Sequence, residues 1–108
     1  MREFASRHCR PLPAGTPAMT DAEVATALRS FTGWVPDDGA ISKTFTFPDY
    51  QRTLAFVNAV AWIAASEDHH PDMLVQYNRC RVAYSTHSVG GISENDFICA
   101  ARIEGLFG

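Results

Sequence analysis

The sequence lacks the features that mark several large classes of protein. Nine Lys and Arg residues stand against twelve Asp and Glu in 108 residues, a net charge of −3, so no strong basic field is present to hold a nucleic-acid backbone. No apolar run approaches the roughly 18 residues that a membrane span needs. The first residues contain arginines but no hydrophobic segment of a secretory signal. We therefore expect neither a nucleic-acid nor a membrane partner.

Cysteine is also scarce, and its three copies lack a Cys-x-x-Cys spacing. An odd number without that spacing indicates reduced thiols and predicts a cytoplasmic location. Hydrophobic residues make up 46% of the chain, enough for one core without disulfides or a structural metal. We expect one domain over residues 20–108, and a poorly ordered extension over residues 1–19, where three of the six prolines lie.

The hydrophobic pattern predicts three helices and two hairpins. One helix opens at a capping box over residues 20–23, a longer one covers about residues 49–66, and the last begins at Ser93. Strands alternate around a Pro-Asp-Asp-Gly turn and again around a turn at residues 78–79. Antiparallel hairpins covered by helices on one face make an α+β domain in the order helix-strand-strand-helix-strand-strand-helix.

Three of the four histidines lie at the ends of the second predicted hairpin. His69 and His70 are adjacent and come directly before a proline, which holds His70 extended and ends the long helix before it. With a two-residue loop at residues 78–79, His70 lies opposite His87, and His69 lies opposite Ser88. A slip of one or two residues still gathers the three imidazoles at one end of the sheet.

Three interpretations of this cluster are open. A histidine at a helix end often complements the helix dipole and does nothing else. Two histidines and a carboxylate also suit non-haem iron or zinc, but adjacent histidines are awkward ligands for one ion and no familiar zinc spacing is present. Imidazole titrates near neutral pH, so a convergent set offers an acid and a base together. The pattern favours proton transfer without a metal.

The histidines belong to a longer set of motifs at fixed spacing. In chain order these are GW at 33–34, FTFPDY at 45–50, DHHP at 68–71, YN at 77–78, STH at 85–87 and GGISEND at 90–96. Over residues 20–106 this set resembles the pterin-4a-carbinolamine dehydratase family. The resemblance implies a four-stranded antiparallel sheet with three helices packed on one face. It also implies elimination of water from 4a-hydroxytetrahydrobiopterin to quinonoid dihydropterin, with no metal or bound cofactor, which recycles the tetrahydrobiopterin of aromatic amino-acid hydroxylases.

The resemblance implies roles for single residues in a catalytic site that contains all three imidazoles. His69 and His87 would transfer protons, and His70 would mainly bind the pterin. Further residues of the substrate site would be Asp68, Ser85, Thr86, Ser88 and Trp34. Trp34 would fit a core position equally well. Asp96 matches an acidic position of the family, but a capping role explains it too. Asp96 and Glu67 are therefore candidates for residues that contact the site residues without touching the substrate.

One position departs from the family pattern. Many members carry an acidic residue four positions before the first histidine, where this chain has Ala65. Glu67 is nearer to the histidines but on a different face of the helix. The resemblance therefore predicts the activity and leaves its rate open.

The long helix carries two neighbouring apolar stripes, a wider arc than one sheet contact needs. We expect a second subunit to cover part of it in a homodimer or homotetramer. The same surface would serve an alternative function, because relatives of this fold act as dimerisation partners or assembly factors for another protein. The complete histidine set favours the enzyme.

Overall fold

The computed structural model describes residues 1–108 and contains one four-stranded antiparallel sheet in the order β1-β2-β4-β3. The strands are β1 (Val35–Asp37), β2 (Ala40–Thr46), β3 (Asp72–Gln76) and β4 (Arg79–Tyr84). The helices are α1 (Arg2–Ala5), α2 (Asp21–Leu28), α3 (Tyr50–Glu67) and α4 (Glu94–Glu104), with short 3₁₀ turns at His87–Val89 and Gly105–Phe107. The predicted α+β class and element order are confirmed, with α1 as an addition. No helix combines the length and apolar character needed to cross a bilayer.

The core lies between the sheet and the helices. Alternate residues of β4 (Cys80, Val82 and Tyr84) are fully buried, as period-2 alternation requires of a strand with one covered face. They join one apolar cluster with residues of β2, α3 and α4, among them Ile41, Phe45, Phe56, Val60, Ile63, Phe97 and Ile103. This packing fixes the ends of α3, β4 and α4 relative to one another.

Both predicted capping boxes are present. The Thr20 hydroxyl accepts a hydrogen bond from the backbone of Glu23, whose carboxylate accepts one in return, and Ser93 and Asp96 do the same at the start of α4. The end of α3 is less regular: Asp68 adopts a left-handed conformation with φ 50° and ψ 44°. A non-glycine residue there costs about 1 kcal/mol. The left-handed residue ends the helix abruptly and turns the chain towards β3.

The two hairpins differ in how well sequence predicted them. The first turns at Asp38 and Gly39, both with positive φ, inside the predicted Pro-Asp-Asp-Gly segment. The predicted register of the second is wrong, because Gln76 pairs with Arg79 and the loop is therefore residues 77–78. Continued beyond the strand end, this register sets His70 against Ser85 rather than His87.

Contacts distant in sequence hold the second turn in its register. The Thr53 hydroxyl of α3 donates a hydrogen bond to the Tyr77 carbonyl at 3.1 Å. The Phe47 N–H after β2 donates to the Asn78 carbonyl at 2.8 Å. Both carbonyls of the loop therefore accept hydrogen bonds from other elements, and these bonds stabilise the turn at residues 77–78.

The first residues lie against the domain, where a poorly ordered extension was expected. Phe4 of α1 is buried, with its ring 5.5 Å from that of Phe97 and 5.9 Å from that of Phe31. Beyond α1, the segment around residues 7–10 runs along the start of α4. A single aromatic anchor leaves no periodic pattern, which is why the sequence did not indicate this packing.

Candidate active site

A cavity of about 710 Å³ opens where the end of α3, the start of β3, the end of β4 and the start of α4 meet. Only two of its sixteen lining residues are hydrophobic, so it suits a polar ligand. From the set expected on sequence, it is lined by Glu67, Asp68, His69, His70, Ser85, Thr86, His87 and Ser88. The cavity therefore brings all three imidazoles to one place.

Two irregular joints position the imidazoles. His69 and His70 lie in the short connection between the left-handed residue Asp68 and the start of β3. The His69 N–H still donates to the Ala64 carbonyl at 3.1 Å, which keeps this connection against the end of the helix. His87 begins the 3₁₀ turn that follows β4. Because neither joint is a regular strand, adjacent side chains are free to face one cavity.

His69 is paired with a buried carboxylate. Its Nε2–H donates to Asp96 Oδ1 at 2.5 Å, and the Asp96 side chain is fully buried while that of His69 is 13% exposed. The ring of Tyr84 stacks on the imidazole at 5.2 Å, and its hydroxyl donates to the His69 carbonyl at 3.1 Å. The orientation of this imidazole is thus fixed from two sides.

The pair also sets the proton affinity of the imidazole. Burial by itself would lower the pKa of His69, because it disfavours the charged form. The hydrogen bond and negative charge of Asp96 outweigh that effect and raise the pKa above its ordinary value of 6.5. His69 is therefore a better proton acceptor than a free imidazole.

Asp96 makes contacts of both kinds that the sequence left open, a cap of α4 and a bond to a histidine of the cavity. Its Oδ2 accepts the Ser93 N–H at 2.9 Å, which caps α4, and the Thr86 hydroxyl at 3.0 Å. Its Oδ1 is left for His69. The cap holds the carboxylate in place, since a buried carboxylate is stabilised when each oxygen has a donor.

The other two imidazoles are held more loosely. His70 and His87 are exposed, and neither ring makes a hydrogen bond to another group of the protein. Their ring nitrogens are available to a ligand or to solvent. The cavity thus combines one imidazole that the protein orients with two that it leaves free.

Two residues expected at the site have other partners. The structure places Trp34 in the core, where its Nε1–H donates to Glu104 Oε2 at 3.0 Å and its ring meets Phe45 edge-on; it does not line the cavity. Glu67 reaches the cavity but bonds to none of its three central imidazoles. Its partners are His8, the Cys9 backbone and Arg102.

Sequence reasoning missed part of the cavity wall. Residues 8–11 line the cavity, as does Asn95 at the start of α4. The fourth histidine, His8, was a possible signal, but nothing local links it to residues that follow it by about 60 positions. Its placement depends on contacts that form only in the folded chain.

Two thiols lie behind this wall. Cys9 Sγ and Cys99 Sγ are 3.6 Å apart, with no disulfide between them. The hydrogen bond from Cys9 lowers the pKa of the Cys99 thiol against the opposing effect of burial, and the same bond raises the pKa of Cys9. No group of three or more His, Cys, Asp or Glu side chains is arranged to hold a metal ion.

Comparison with known proteins gives a consistent result. A sequence model of the family described as pterin 4 alpha carbinolamine dehydratase matches residues 17–106. A protein of Nitrosomonas eutropha is 51% identical over 96% of this chain and 93% of its own. One of Xanthomonas campestris is 55% identical over 93% and 86%. Both carry the name "Putative pterin-4-alpha-carbinolamine dehydratase".

Two solved structures share the fold. A transcriptional coactivator/pterin dehydratase from Brucella melitensis is 34% identical and superposes with a TM-score of 0.78, over 84% of this chain and 99% of that one. A pterin dehydratase-like protein, described as a RuBisCO assembly factor in the alpha-carboxysome, has a TM-score of 0.58 over 69% and 87%. The second is 22% identical, so its likeness concerns the fold alone.

Proposed function

The chain belongs to the pterin 4 alpha carbinolamine dehydratase family, and we propose that it is a 4a-hydroxytetrahydrobiopterin dehydratase that works by histidine acid–base catalysis. One observation carries the proposal. Three imidazoles line a single polar cavity, and one of them is fixed and made more basic by a buried carboxylate. Such an arrangement supplies a proton donor and a proton acceptor at neutral pH.

The reaction needs both. The C4a hydroxyl leaves as water after accepting a proton, while the proton on N5 is removed and its electron pair forms the C4a=N5 double bond of the quinonoid dihydropterin. One proton enters and one leaves, so the catalyst is restored by exchange with solvent. In this proposal His69 and His87 transfer the protons and His70 binds the pterin.

The remaining polar residues bind and orient the substrate in this proposal. Asp68, Ser85 and Ser88 are exposed along the cavity and offer hydrogen bonds to the substituents of a pterin ring. Thr86 is buried, and its hydroxyl already donates to Asp96, so it acts by holding that carboxylate. Asp96 in turn orients His69 and raises its pKa in this proposal.

The direct test is an assay with chemically generated 4a-carbinolamine, followed by the absorbance of the quinonoid product. We expect the protein to accelerate dehydration well beyond the buffer-catalysed rate. Heat-denatured protein at the same concentration is the control. A wild-type rate equal to that of buffer would contradict the proposal and favour the alternative, a non-catalytic dehydratase-like module that acts as a dimerisation or assembly factor for another protein.

We also propose a homodimer or homotetramer. Trp62 on α3 is 72% exposed, and Tyr50 and Leu54 of the same helix are exposed as well. An apolar surface of this kind on one helix is typical of a subunit contact. Light scattering at micromolar concentration should therefore give at least twice the chain mass of 11.9 kDa, and a monomer would contradict it.

The setting of the reaction follows from its substrate. A carbinolamine of tetrahydrobiopterin is a product of aromatic amino-acid hydroxylases, so we propose functional coupling to such an enzyme in the cytoplasm. The free state of all three cysteines agrees with a reducing compartment. Adding the protein to a hydroxylase assay that contains limiting tetrahydropterin and an excess of a reductant of the quinonoid product, such as dithiothreitol, should raise the yield of hydroxylated amino acid. An unchanged yield would contradict the coupling.

A further inference from the structure

The segment His8–Pro11, which we call the strap, forms one side of the catalytic cavity. It precedes the region that the family model matches, residues 17–106. The strap has no regular secondary structure of its own. Its position therefore depends on the groups that hold it.

Glu67 holds the first half of the strap. Its side chain is only 4% exposed, and both oxygens are used: Oε1 accepts the Cys9 N–H at 2.7 Å and Oε2 accepts His8 Nδ1–H at 2.8 Å. Burial would raise the pKa of Glu67, but these bonds and the charge of Arg102 lower it. The carboxylate is ionised at neutral pH, which strengthens both hydrogen bonds.

Asn95 holds the second half. Its residue is 5% exposed, and the side-chain amide makes two bonds to one residue of the strap. Oδ1 accepts the Arg10 N–H at 3.2 Å, and Nδ2 donates to the Arg10 carbonyl at 2.7 Å. A buried amide without these partners would be costly, so the pairing favours the docked strap.

We propose that the strap is a wall of the pterin-binding site, and that Glu67 and Asn95 are positioning residues that keep it there. The inference rests on the proposed function. Glu67 and Asn95 lie on the two helices, α3 and α4, whose ends frame the cavity, and both direct their polar atoms to the strap. Release of the strap would remove one side of the cavity and weaken pterin binding, while the three central imidazoles stay in place.

The experiment compares the double variant Glu67→Ala/Asn95→Ala with wild type by two independent readouts. Loss of four hydrogen bonds to the strap should raise KM for the carbinolamine about tenfold and leave kcat within about twofold, which is the signature of lost binding. Cys99 is fully buried beside Cys9 of the strap, so alkylation of Cys99 by iodoacetamide should become at least about tenfold faster.

Two controls accompany the double variant. Glu94→Ala changes the residue next to Asn95. The bonds of Glu94 to Arg7 and Arg10 are exposed ion pairs, which contribute little, so KM should stay within about twofold of wild type. Cys80 is buried in the sheet away from the strap, and its alkylation reports unfolding rather than strap release. Mass spectrometry of peptides separates the labelling of the three cysteines.

An unchanged KM would overturn the proposal. With faster Cys99 labelling, the released strap would not contribute to the site; with unchanged labelling, Glu67 and Asn95 would not be the residues that hold it. If wild type shows no dehydratase activity, the proposed function fails. The strap is then tested by equilibrium dialysis, which compares the affinity of wild type and of the double variant for 7,8-dihydrobiopterin. Weaker binding by the double variant supports the wall, and equal binding overturns it.

A measurement on wild type alone covers the case in which the double variant unfolds and Cys80 is labelled. Saturating 7,8-dihydrobiopterin should slow alkylation of Cys9 and Cys99 several-fold, because a ligand seated against the strap stabilises its docked state. Alkylation of Cys9 at the same rate with and without the pterin would overturn the proposal.

Discussion

The imidazoles of the cavity are of two kinds. His69 is almost buried, stacked on Tyr84 and bonded to a carboxylate with no solvent exposure. The rings of His70 and His87 are exposed and have no protein partner. The protein therefore orients one imidazole and raises its pKa, and leaves the other two open to a ligand or to solvent. A catalyst that both gives and takes a proton gains from this division, because the exposed group exchanges its proton readily with water.

The largest effect is expected when one of the two imidazoles to which we assign proton transfer is removed. His69→Ala and His87→Ala should each lower kcat by about 10²–10⁴-fold, the usual contribution of a positioned acid or base. The double variant should fall close to the uncatalysed rate. Initial rates of carbinolamine dehydration measure this, with circular dichroism as the check on folding. A folded double variant that remained fast would remove these imidazoles from the mechanism.

A smaller effect is expected when His69 stays and only the charge of its partner Asp96 is removed. Asp96→Asn keeps an oxygen for the helix cap but removes the negative charge beside His69, so the pKa of His69 should fall. The limb of the kcat/KM profile that reports His69 should then move to lower pH, with kcat reduced about tenfold. His87→Ala should leave the position of that limb unchanged. An unmoved limb in Asp96→Asn would mean that the carboxylate does not tune the site.

The same variant should also change how stability depends on pH. Because folding raises the pKa of His69 above 6.5, its pairing with Asp96 stabilises the fold fully below that pH, and the stabilisation is lost as pH rises through the raised value. Urea unfolding should therefore show a larger loss of stability in Asp96→Asn at pH 6 than at pH 9. A loss independent of pH would assign Asp96 a capping role only.

A further substitution tests the second exposed imidazole. His70→Ala should raise KM about tenfold and change kcat by less than about threefold, because a group that binds substrate and transition state alike contributes to affinity alone. Steady-state kinetics beside His87→Ala provide the comparison, since both side chains are exposed and only one is assigned to proton transfer. A loss in kcat as large as that of His87→Ala would make the two exposed imidazoles equivalent.

The smallest effect is expected from chelation. Proton transfer by imidazoles needs no metal, so dialysis against a strong chelator should leave the rate unchanged within error. The dialysed protein with added zinc or iron is the matched comparison. Activity that is lost on dialysis and restored by either metal would replace acid–base catalysis with a metal mechanism.

Local sequence determined much of the fold. Both capping boxes, the Asp38-Gly39 turn and the limits of α3 and α4 depend on residues a few positions apart, so their patterns predict them directly. The gathering of His69, His70 and His87 could also be predicted, because the strands of one hairpin must end close together. An error of one position in the loop did not affect that conclusion.

Only the tertiary structure decided which groups contact the residues of the predicted site. The bond from His69 to Asp96 spans 27 positions and that from Cys9 to Glu67 spans 58. Trp34 lies in the core, where its ring meets Phe45 and its Nε1–H bonds to Glu104, 70 positions along the chain. Residues 8–11 form one side of the cavity because buried side chains of α3 and α4 make hydrogen bonds to their backbone. Such choices depend on packing and on satisfying buried hydrogen bonds, which a sequence pattern does not record.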